Sequence, residues 1–299
     1  MTGLITAIKR LSVHDGDGLR TTAFFKGCGL RCVWCHNPET LSFNRQIEVH
    51  KAKCVLCGEC VRVCPSGSVK AEGGELIYDR SSCSVCGKCA DACPVEARAV
   101  VGEEYTAEAL AEKLKEDKPF FDNGGGVTLS GGECMLQADF ALQVAKILHS
   151  DGVSVDIDTC GYAPTEAFER ILPYVDTFLY DVKAIDPAVH EKCTGKNNEL
   201  ILKNLDFILS KGAGVEVRIP LVPGYNDGEI DSIGRFLQGK GVKKVKVLAY
   251  HDLARSKYDS LGLKGTMPRV ASPTALEVQK AVDELKSYGL NAVNGVLAD

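Results

Sequence analysis

The sequence predicts an α/β chain built as a partial (β/α)6, TIM-like barrel of about six units, with a small domain inserted near its start. Three observations predict it. Short β-rich runs alternate with amphipathic helical stretches over most of the chain, the pattern of parallel strands with helices packed outside. That alternation stops over 49–101, where cysteines replace apolar periodicity. The length, 299 residues with 45% hydrophobic and 25% charged, leaves room for one large core and a satellite.

In chain order the strand candidates are Thr21–Phe25, Val127–Leu129, Val153–Ile157, Thr177–Tyr180, Val215–Ile219, Val245–Leu248 and Ala292–Val296. Helices are expected between them. Ala107, Leu110, Ala111 and Leu114 recur at helical spacing. Ser272-Pro273 reads as an N-cap followed by proline at the first helical position. The expected division is a barrel over 1–48 and 102–299 with an insert over 49–101. An insertion is tolerated where its ends lie close together on the surface. A doubly wound open sheet is the alternative, and periodicity alone does not choose between the two.

The net charge of -5 argues against a polyanion as the main partner, so nucleic acid is not expected. No apolar run approaches the ~20 residues that span a bilayer, and Met1–Arg10 is too short and mixed for a secretion signal. Cysteine is the outlier. Of 14 cysteines, all but Cys134, Cys160 and Cys193 lie between Cys28 and Cys93. Crowded C-x-x-C runs in a chain of this size read as metal ligands rather than a disulfide scaffold, which implies a reducing cytoplasmic setting. Cys134, Cys160 and Cys193 are expected to be small buried apolar residues.

The first thiols follow the first strand candidate: Cys28, Cys32 and Cys35, with Trp34 and His36 on either side of the last. Three thiolates at that spacing can hold one face of an iron–sulfur cube and leave one iron open to a substrate. A zinc knot completed by His36 is the alternative. Further on, Cys54, Cys57, Cys60 and Cys64 recur in the same spacing as Cys83, Cys86, Cys89 and Cys93, and each run ends in Cys-Pro. C-x-x-C-x-x-C-x-x-x-C-P is the run of bacterial ferredoxins, in which the fourth cysteine serves the other cluster. The insert is therefore read as a bacterial ferredoxin-like domain with two [4Fe-4S] clusters. One is expected on Cys54, Cys57, Cys60 and Cys93, the other on Cys64, Cys83, Cys86 and Cys89. Zinc is again the alternative. Fully ligated clusters have no open iron, so they suit an electron relay, with a purely structural role left open.

The C-x-x-x-C-x-x-C loop resembles that of the radical S-adenosylmethionine superfamily. The wider stretch is more specific. Ser12-Val-His14-Asp15-Gly16-Asp17-Gly18-Leu-Arg20, followed by the loop ending Cys35-His36-Asn37-Pro38-Glu39, resembles the activating enzymes of glycyl radical enzymes. That family usually carries proline where this chain has Asp17, which puts Asp17 in place to tune partner recognition. Further matches follow in family order: Ser130-Gly131-Gly132-Glu133, Asp158-Thr159-Cys160-Gly161, Asp181-Val182-Lys183, Arg218 through Val222-Pro223-Gly224, and Tyr250-His251. Most sit just past the end of a strand candidate, where parallel β/α folds assemble their sites.

The resemblance implies that S-adenosylmethionine chelates the open iron through its amino and carboxylate groups. Cys35, Trp34 and His36 would meet the adenine, and His251 the adenosine. Gly131, Gly132 and Glu133 would approach the methionine tail. Asp158, Thr159, Asp181, Val182, Lys183 and Arg218 would line the rest, with the two aspartates holding ribose or a monovalent cation. No side chain is required as an acid or base, because the cofactor carries the chemistry. The expected reaction is reductive cleavage of S-adenosylmethionine to a 5′-deoxyadenosyl radical. That radical takes a glycine Cα hydrogen from a partner glycyl radical enzyme, with flavodoxin or ferredoxin as a low-potential electron donor. The same motifs have blander readings. Gly131-Gly132 also fits a plain turn, Asp158 an N-cap, and Lys183 and His251 surface positions. A radical enzyme acting on a small molecule or peptide side chain is the second functional reading, and a non-catalytic electron carrier the third.

Overall fold

The computed structural model describes residues 1–122 and 124–295. Strand β1 (Thr2–Ser12) runs antiparallel to β2 (Arg20–Phe25), with Ile8 opposite Ala23. The chain then leaves the main sheet through β3 (Gln46–Val49), α1 (Glu59–Arg62), β4 (Val69–Glu72), β5 (Glu75–Tyr78), α2 (Lys88–Asp91) and β6 (Arg98–Val101). It returns as β7 (Glu103–Thr106), which pairs with the other side of β1. Strands β3 and β6 pair antiparallel from Gln46↔Val101 to Val49↔Arg98, so the excursion leaves and re-enters at one place.

From here strand and helix alternate: α3 (Ala107–Lys115), β8 (Gly126–Gly131), α4 (Ala138–Ser150), β9 (Ser154–Thr159), α5 (Thr165–Ile171), β10 (Thr177–Asp181), α6 (Pro187–Thr194) and α7 (Glu199–Ser210). The series closes with β11 (Gly214–Leu221), α8 (Ile230–Leu237), β12 (Lys244–Ala249), α9 (Arg255–Leu261), α10 (Ala275–Ser287) and β13 (Ala292–Asn294). All seven expected strands are present. Val296, the last residue of the final candidate, lies outside the described residues.

The strand order is β13-β12-β11-β10-β9-β8-β2-β1-β7, parallel from β2 to β13. This order decides against a doubly wound sheet. A doubly wound sheet reverses its order at a switch point, whereas here each crossover steps the same way. Steps in one direction put the helices on one face, as in a barrel, and the arrangement is consistent with a partial one. Strands β1 and β7, on the antiparallel side, were not among the expected strands.

Alternation along the strands separates two environments. Val127, Leu129, Val155, Ile157, Phe178, Tyr180, Val215, Val217, Val245 and Val247 join one buried core with Leu110, Leu114, Val144, Leu148, Leu205 and Leu285 of the helices. Leu110 and Leu114 occupy the predicted helical spacing, and the Thr106 hydroxyl caps α3 by accepting from the Ala109 amide at 3.1 Å. The opposite face of the sheet is polar: Thr128, Ser130, Asp156, Asp158, Glu216 and Arg218 are buried or nearly so. Helix α10 starts later than expected. Its N-cap is Thr274, not Ser272, because Thr274 and Glu277 form a reciprocal capping box that satisfies two amides at once.

The sequence repeat in the insert is also a backbone repeat. Leu56 and Val85 both take positive φ (56° and 53°), and Gly58 and Gly87 follow at 78° and 85°, each starting a one-turn helix. The insert is tied to the barrel by Arg80, whose guanidinium donates to the Ile47 carbonyl at 2.6 Å and the Ser260 carbonyl at 2.8 Å. No helix among the described residues is long and apolar enough to cross a membrane.

Candidate functional site

The first cysteine loop is fixed from several sides. Phe25 ends β2, and the Lys26 amide then donates to the Leu4 carbonyl at 2.9 Å. The Gly27 amide donates to the Thr40 carbonyl at 2.6 Å, with φ at +107°. The Arg31 and Val33 amides donate to the carbonyls of Thr194 and Cys193 at the end of α6, at 2.8 and 2.9 Å. The Arg31 guanidinium donates to the carbonyls of Cys28 and Leu30, both at 2.7 Å. From α9, the Tyr258 hydroxyl donates to the Cys35 carbonyl at 3.0 Å, and Lys257 reaches the Glu39 carboxylate at 2.6 Å. Lys26 is buried beneath the loop, donating to the Gln46 side-chain oxygen at 2.9 Å and to the Glu39 carbonyl. Burial pulls its ammonium down to about 8. None of these groups is a thiol, so the loop is shaped independently of whatever its thiols bind.

Cys28 is buried, and Cys32 and Cys35 are partly buried. Burial pushes the Cys32 thiol up to about 12 and Cys35 up to about 11, with the Lys183 ammonium pulling against both shifts. Soft thiol donors with a nearby cation and a backbone held from outside suit an iron–sulfur cluster, which supplies its own positive charge to stabilise thiolates. Among the described residues no group of three or more His, Cys, Asp or Glu side chains closes on one point, as a single metal ion requires.

The strand ends form the rest of the site. Ser130, Gly131, Asp158, Thr159 and Asp181 are the last residues of β8, β9 and β10 rather than lying past them. The Ser130 hydroxyl donates to Asp158 at 2.6 Å. Arg218 lies 3.6 Å from Asp158 and 3.3 Å from Glu216, and donates to the His14 carbonyl at 2.9 Å. Burial pushes the Asp158 carboxyl up to about 6 although Arg218 opposes it. Lys183 pairs with Asp181 at 2.6 Å. Burial works against the Lys183 charge, but Asp181 together with Cys32 and Cys160 outweighs it and the ammonium is raised. Val182 is buried, its amide donating to the Arg218 carbonyl at 2.9 Å, which extends the β10–β11 ladder by one residue.

Gly131 and Gly132 are required by the cysteine loop itself. A Cβ on Gly131, which has φ +117°, would lie 2.2 Å from the Phe25 amide, and one on Gly132 would lie 2.4 Å from the Gly27 carbonyl. Glu133 is a buried clamp. Its carboxylate accepts from the Thr159 hydroxyl and the Cys160 amide at 2.8 Å and from the Met135 amide at 3.0 Å, joining the β8 and β9 termini. Asp158 does not cap a helix, since α5 begins at Thr165 with Pro164 as its N-cap residue.

His36 and His251 come together although they are far apart in sequence. Their rings stack at 4.0 Å, and the His36 Nε2 lies 2.7 Å from the His251 carbonyl. Burial, followed by the neighbouring His251, lowers the His36 pKa. The Trp34 side chain is packed in an apolar cluster with Cys193, Val222 and Tyr258, with its ring edge-on to Tyr225 at 6.2 Å. Cys134, Cys160 and Cys193 are buried, as expected. Lys26, Asn226, Lys257 and Tyr258 also shape the site. Asn226 donates to the Lys183 carbonyl at 2.8 Å. None belongs to a spacing motif, so nothing local marked them.

In the insert, one cavity of about 580 Å³ is lined by Cys54, Cys57, Cys60 and Cys93. A second, of about 10 Å³, is lined by Cys64, Cys83, Cys86 and Cys89. Each cavity thus takes three cysteines from one run and the fourth from the other.

Comparison with known proteins adds to this geometry. The family model of the radical SAM superfamily matches residues 22–237. The chain is 41% identical to the trans-4-hydroxy-L-proline dehydratase activating enzyme of Clostridioides difficile, over 96% of this chain and 95% of that protein. It is 43% identical to the choline trimethylamine-lyase activating enzyme of Oleidesulfovibrio alaskensis, over 87% of each. Among solved structures, Streptococcus suis SuiB bound to its precursor peptide superposes with a TM-score of 0.54 at 13% identity. That match covers 89% of this chain and 46% of SuiB, and it supports the fold alone.

Proposed function

The chain belongs to the radical SAM superfamily and, within it, to the glycyl radical enzyme activating enzymes, and from that premise we propose how its residues divide the work. It is an enzyme that activates a glycyl radical enzyme by radical SAM chemistry. The family implies a [4Fe-4S] cluster and S-adenosylmethionine. Bound together, these supply the reductive cleavage to methionine and a 5′-deoxyadenosyl radical, which removes a glycine Cα hydrogen from the partner.

Cys28, Cys32 and Cys35 hold this cluster in our reading, on a loop fixed by α6, α9 and Lys26. The ends of β8, β9, β10 and β11 carry the S-adenosylmethionine contacts. The observation that carries this assignment is one bonded network: Glu133 joins the β8 and β9 termini, while Ser130, Asp158 and Arg218 join β8 to β11. Asp158 and Asp181 face this network with Arg218 and Lys183 as counter-charges, which suits a zwitterionic tail, ribose or a monovalent cation. His36 and His251 offer a stacked aromatic wall for adenine. Gly131 and Gly132 keep the strand end against the cysteine loop, where a Cβ would strike the Phe25 and Gly27 backbone.

The insert over 49–101 is a bacterial ferredoxin-like domain with two further [4Fe-4S] clusters in this reading, making three in all. The crossed lining of its two cavities supports that ligand wiring. Both clusters relay electrons from a low-potential donor such as flavodoxin or ferredoxin, in the reducing cytoplasm.

The test is anaerobic. Dithionite-reduced protein is mixed with S-adenosylmethionine and a candidate glycyl radical enzyme containing deuterated glycine. Deuterium is expected in 5′-deoxyadenosine, with a stable radical in the partner's paramagnetic spectrum. Transfer of deuterium from a small metabolite and from no protein would replace this reading with a small-molecule one.

A further inference from the structure

The repeat in the insert is broken at one buried place. Five residues beyond the fourth cysteine of each run, Cys64 leads to Val69 and Cys93 leads to Arg98. The backbone treats the two alike. Gly67 and Glu96 precede them with φ of 62° and 50°, and Val69 and Arg98 each open a strand, β4 and β6. Val69 lines the cavity of Cys64, Cys83, Cys86 and Cys89, and Arg98 lines that of Cys54, Cys57, Cys60 and Cys93. Both are buried, with Val69 2% exposed and Arg98 4%. One half of the insert therefore buries an apolar side chain where the other buries a cation. A buried charge without a partner is costly. Among the described residues Arg98 has no ion pair, and its buried Nη1 has no hydrogen-bond partner. The Tyr78 ring, 4.9 Å from the guanidinium carbon, supplies part of the attraction. The same ring carries Arg80 at 4.8 Å, so a second cation adds to the cost. Arg98 also bears on the other set of thiols: burial raises the Cys89 thiol, and the guanidinium pulls against that rise.

We propose that Arg98 is the buried counter-charge of both insert clusters, with Nη1 donating to a sulfur of the cluster on Cys54, Cys57, Cys60 and Cys93 and the guanidinium charge reaching the other cluster beside Cys89. The proposal rests on the reading that these thiols hold iron–sulfur clusters. Thiolates and sulfides around such a cube are negative and accept hydrogen bonds, so they meet both needs of this side chain. The effect on the clusters is a raised reduction potential. A fixed cation and an N–H···S bond favour the state with one more electron, because it carries the greater negative charge. Each cluster takes that electron from the low-potential donor, and no bond breaks. A cation between the two sites also softens the repulsion between them once both are reduced. The place suits a relay. Asp259 and Gly262, in and just after α9, line the cavity that Arg98 lines, and Tyr258 of α9 donates to the Cys35 carbonyl. Arg98 thus makes an electron welcome at the insert site that shares a wall with the helix steadying the first cysteine loop.

The experiment uses anaerobically reconstituted holoenzyme, unaltered and as Arg98→Met and Arg98→Lys. Potentiometric titration followed by paramagnetic spectra reads the potential of each cluster, and Cys57→Ala assigns one of the two insert signals by removing it. Arg98→Met should lower both insert potentials. At a fixed applied potential the reduced-to-oxidised ratio should fall about ten-fold, equivalent to about 59 mV for one electron. Arg98→Lys keeps the charge and loses the planar fork, so its fall should be smaller. The potential of the cluster on Cys28, Cys32 and Cys35 should stay where it is in both variants. Unaltered protein grown on nitrogen-15 arginine should show nitrogen coupling on the signal that Cys57→Ala removes. Unmoved insert potentials in variants that keep about 12 irons per chain overturn the proposal. So does nitrogen coupling that is absent or confined to the other insert signal. An equal fall at all three clusters also overturns it, because that reports a general loosening of the protein. If Arg98→Met sheds iron, Arg98→Lys and the labelled protein decide the matter. About 4 irons per chain in the unaltered protein would overturn the cluster reading of the insert, and the proposal with it.

Discussion

The barrel holds its three thiols on a loop whose backbone is bonded to β1, α6 and α9 and packed over a large apolar core. The insert has no such scaffold. Its buried cluster is small, with Ile47 and Val69 packed among Cys60 and Cys89. Its strands are four residues each, and its helices make a single turn. Elements this short do not stand alone. The difference teaches that the barrel shapes its thiol loop with protein groups, whereas the insert, in the proposed reading, would gain its order from the clusters it binds. The insert presents Cys57 and Cys86 to solvent, whereas in the barrel Cys28 is buried and Cys32 and Cys35 are half-buried.

The largest expected effect tests the barrel half. Replacing Cys28, Cys32 and Cys35 together with Ala should abolish S-adenosylmethionine cleavage and lower iron from about 12 to about 8 per chain. The barrel should keep its thermal unfolding transition, since of the three thiols only Cys28 belongs to its buried core. Loss of that transition would break the contrast. Zinc in place of iron after anaerobic expression would overturn the cluster assignment in both halves.

The next effect belongs to the insert. Cys64→Ala should damage the cluster of Cys83, Cys86 and Cys89, and Cys93→Ala the cluster of Cys54, Cys57 and Cys60, as paramagnetic spectra would resolve. Each variant should also speed amide exchange across 49–101 while the barrel stays protected. If each loss tracks its own sequence run, the crossed wiring is wrong.

A smaller effect measures how far the barrel site is built by protein groups alone. Glu133→Ala strands the Thr159 hydroxyl and the Cys160 amide without an acceptor in a buried place. Denaturant unfolding should show a loss of about 3 kcal/mol. Glu133→Gln keeps one acceptor oxygen and should lose roughly half as much. An unchanged midpoint for the alanine variant would mean that this clamp does not hold the strand ends.

The smallest effect is a pH dependence. Burial pushes the Asp156 carboxyl up to about 7, against the pull of Arg20 at 3.3 Å. The folded chain then keeps a proton that the unfolded chain releases at a pKa of about 4. The associated stability is full below that value and is lost as pH rises through about 7. Between about pH 6 and pH 8 the barrel should lose about 1 kcal/mol, and Asp156→Asn should flatten that slope. A slope that survives the substitution would assign it elsewhere.

Much of the architecture was legible in the chain. The seven parallel strands appear because buried parallel strands read as short apolar runs, as in Val215–Ile219. The helical spacing of Leu110 and Leu114 was equally clear. Strand β1 was missed because it is an outer, half-exposed strand bearing Lys9 and Arg10, so its alternation is faint. The start of α10 was misplaced because Ser272-Pro273 is a plausible cap locally, and the Thr274–Glu277 box prevails by satisfying two amides.

By itself the sequence determined the elements, the thiol spacings and the order of the motifs, because each depends on neighbours within a few residues. Only the tertiary structure decided what those motifs touch. Tyr258 meets the Cys35 carbonyl across 223 positions, and no periodicity carries such information. Glu133 turned out to bind Thr159, and Gly131 to make room for Phe25, because a buried polar or space-limited group is defined by whichever strand lies beside it. The same holds for the two C-x-x-C turns. Local spacing made Leu56 and Val85 alike, and packing left Val85 half-buried and Leu56 exposed, since burial is set by the surface opposite and not by the turn itself.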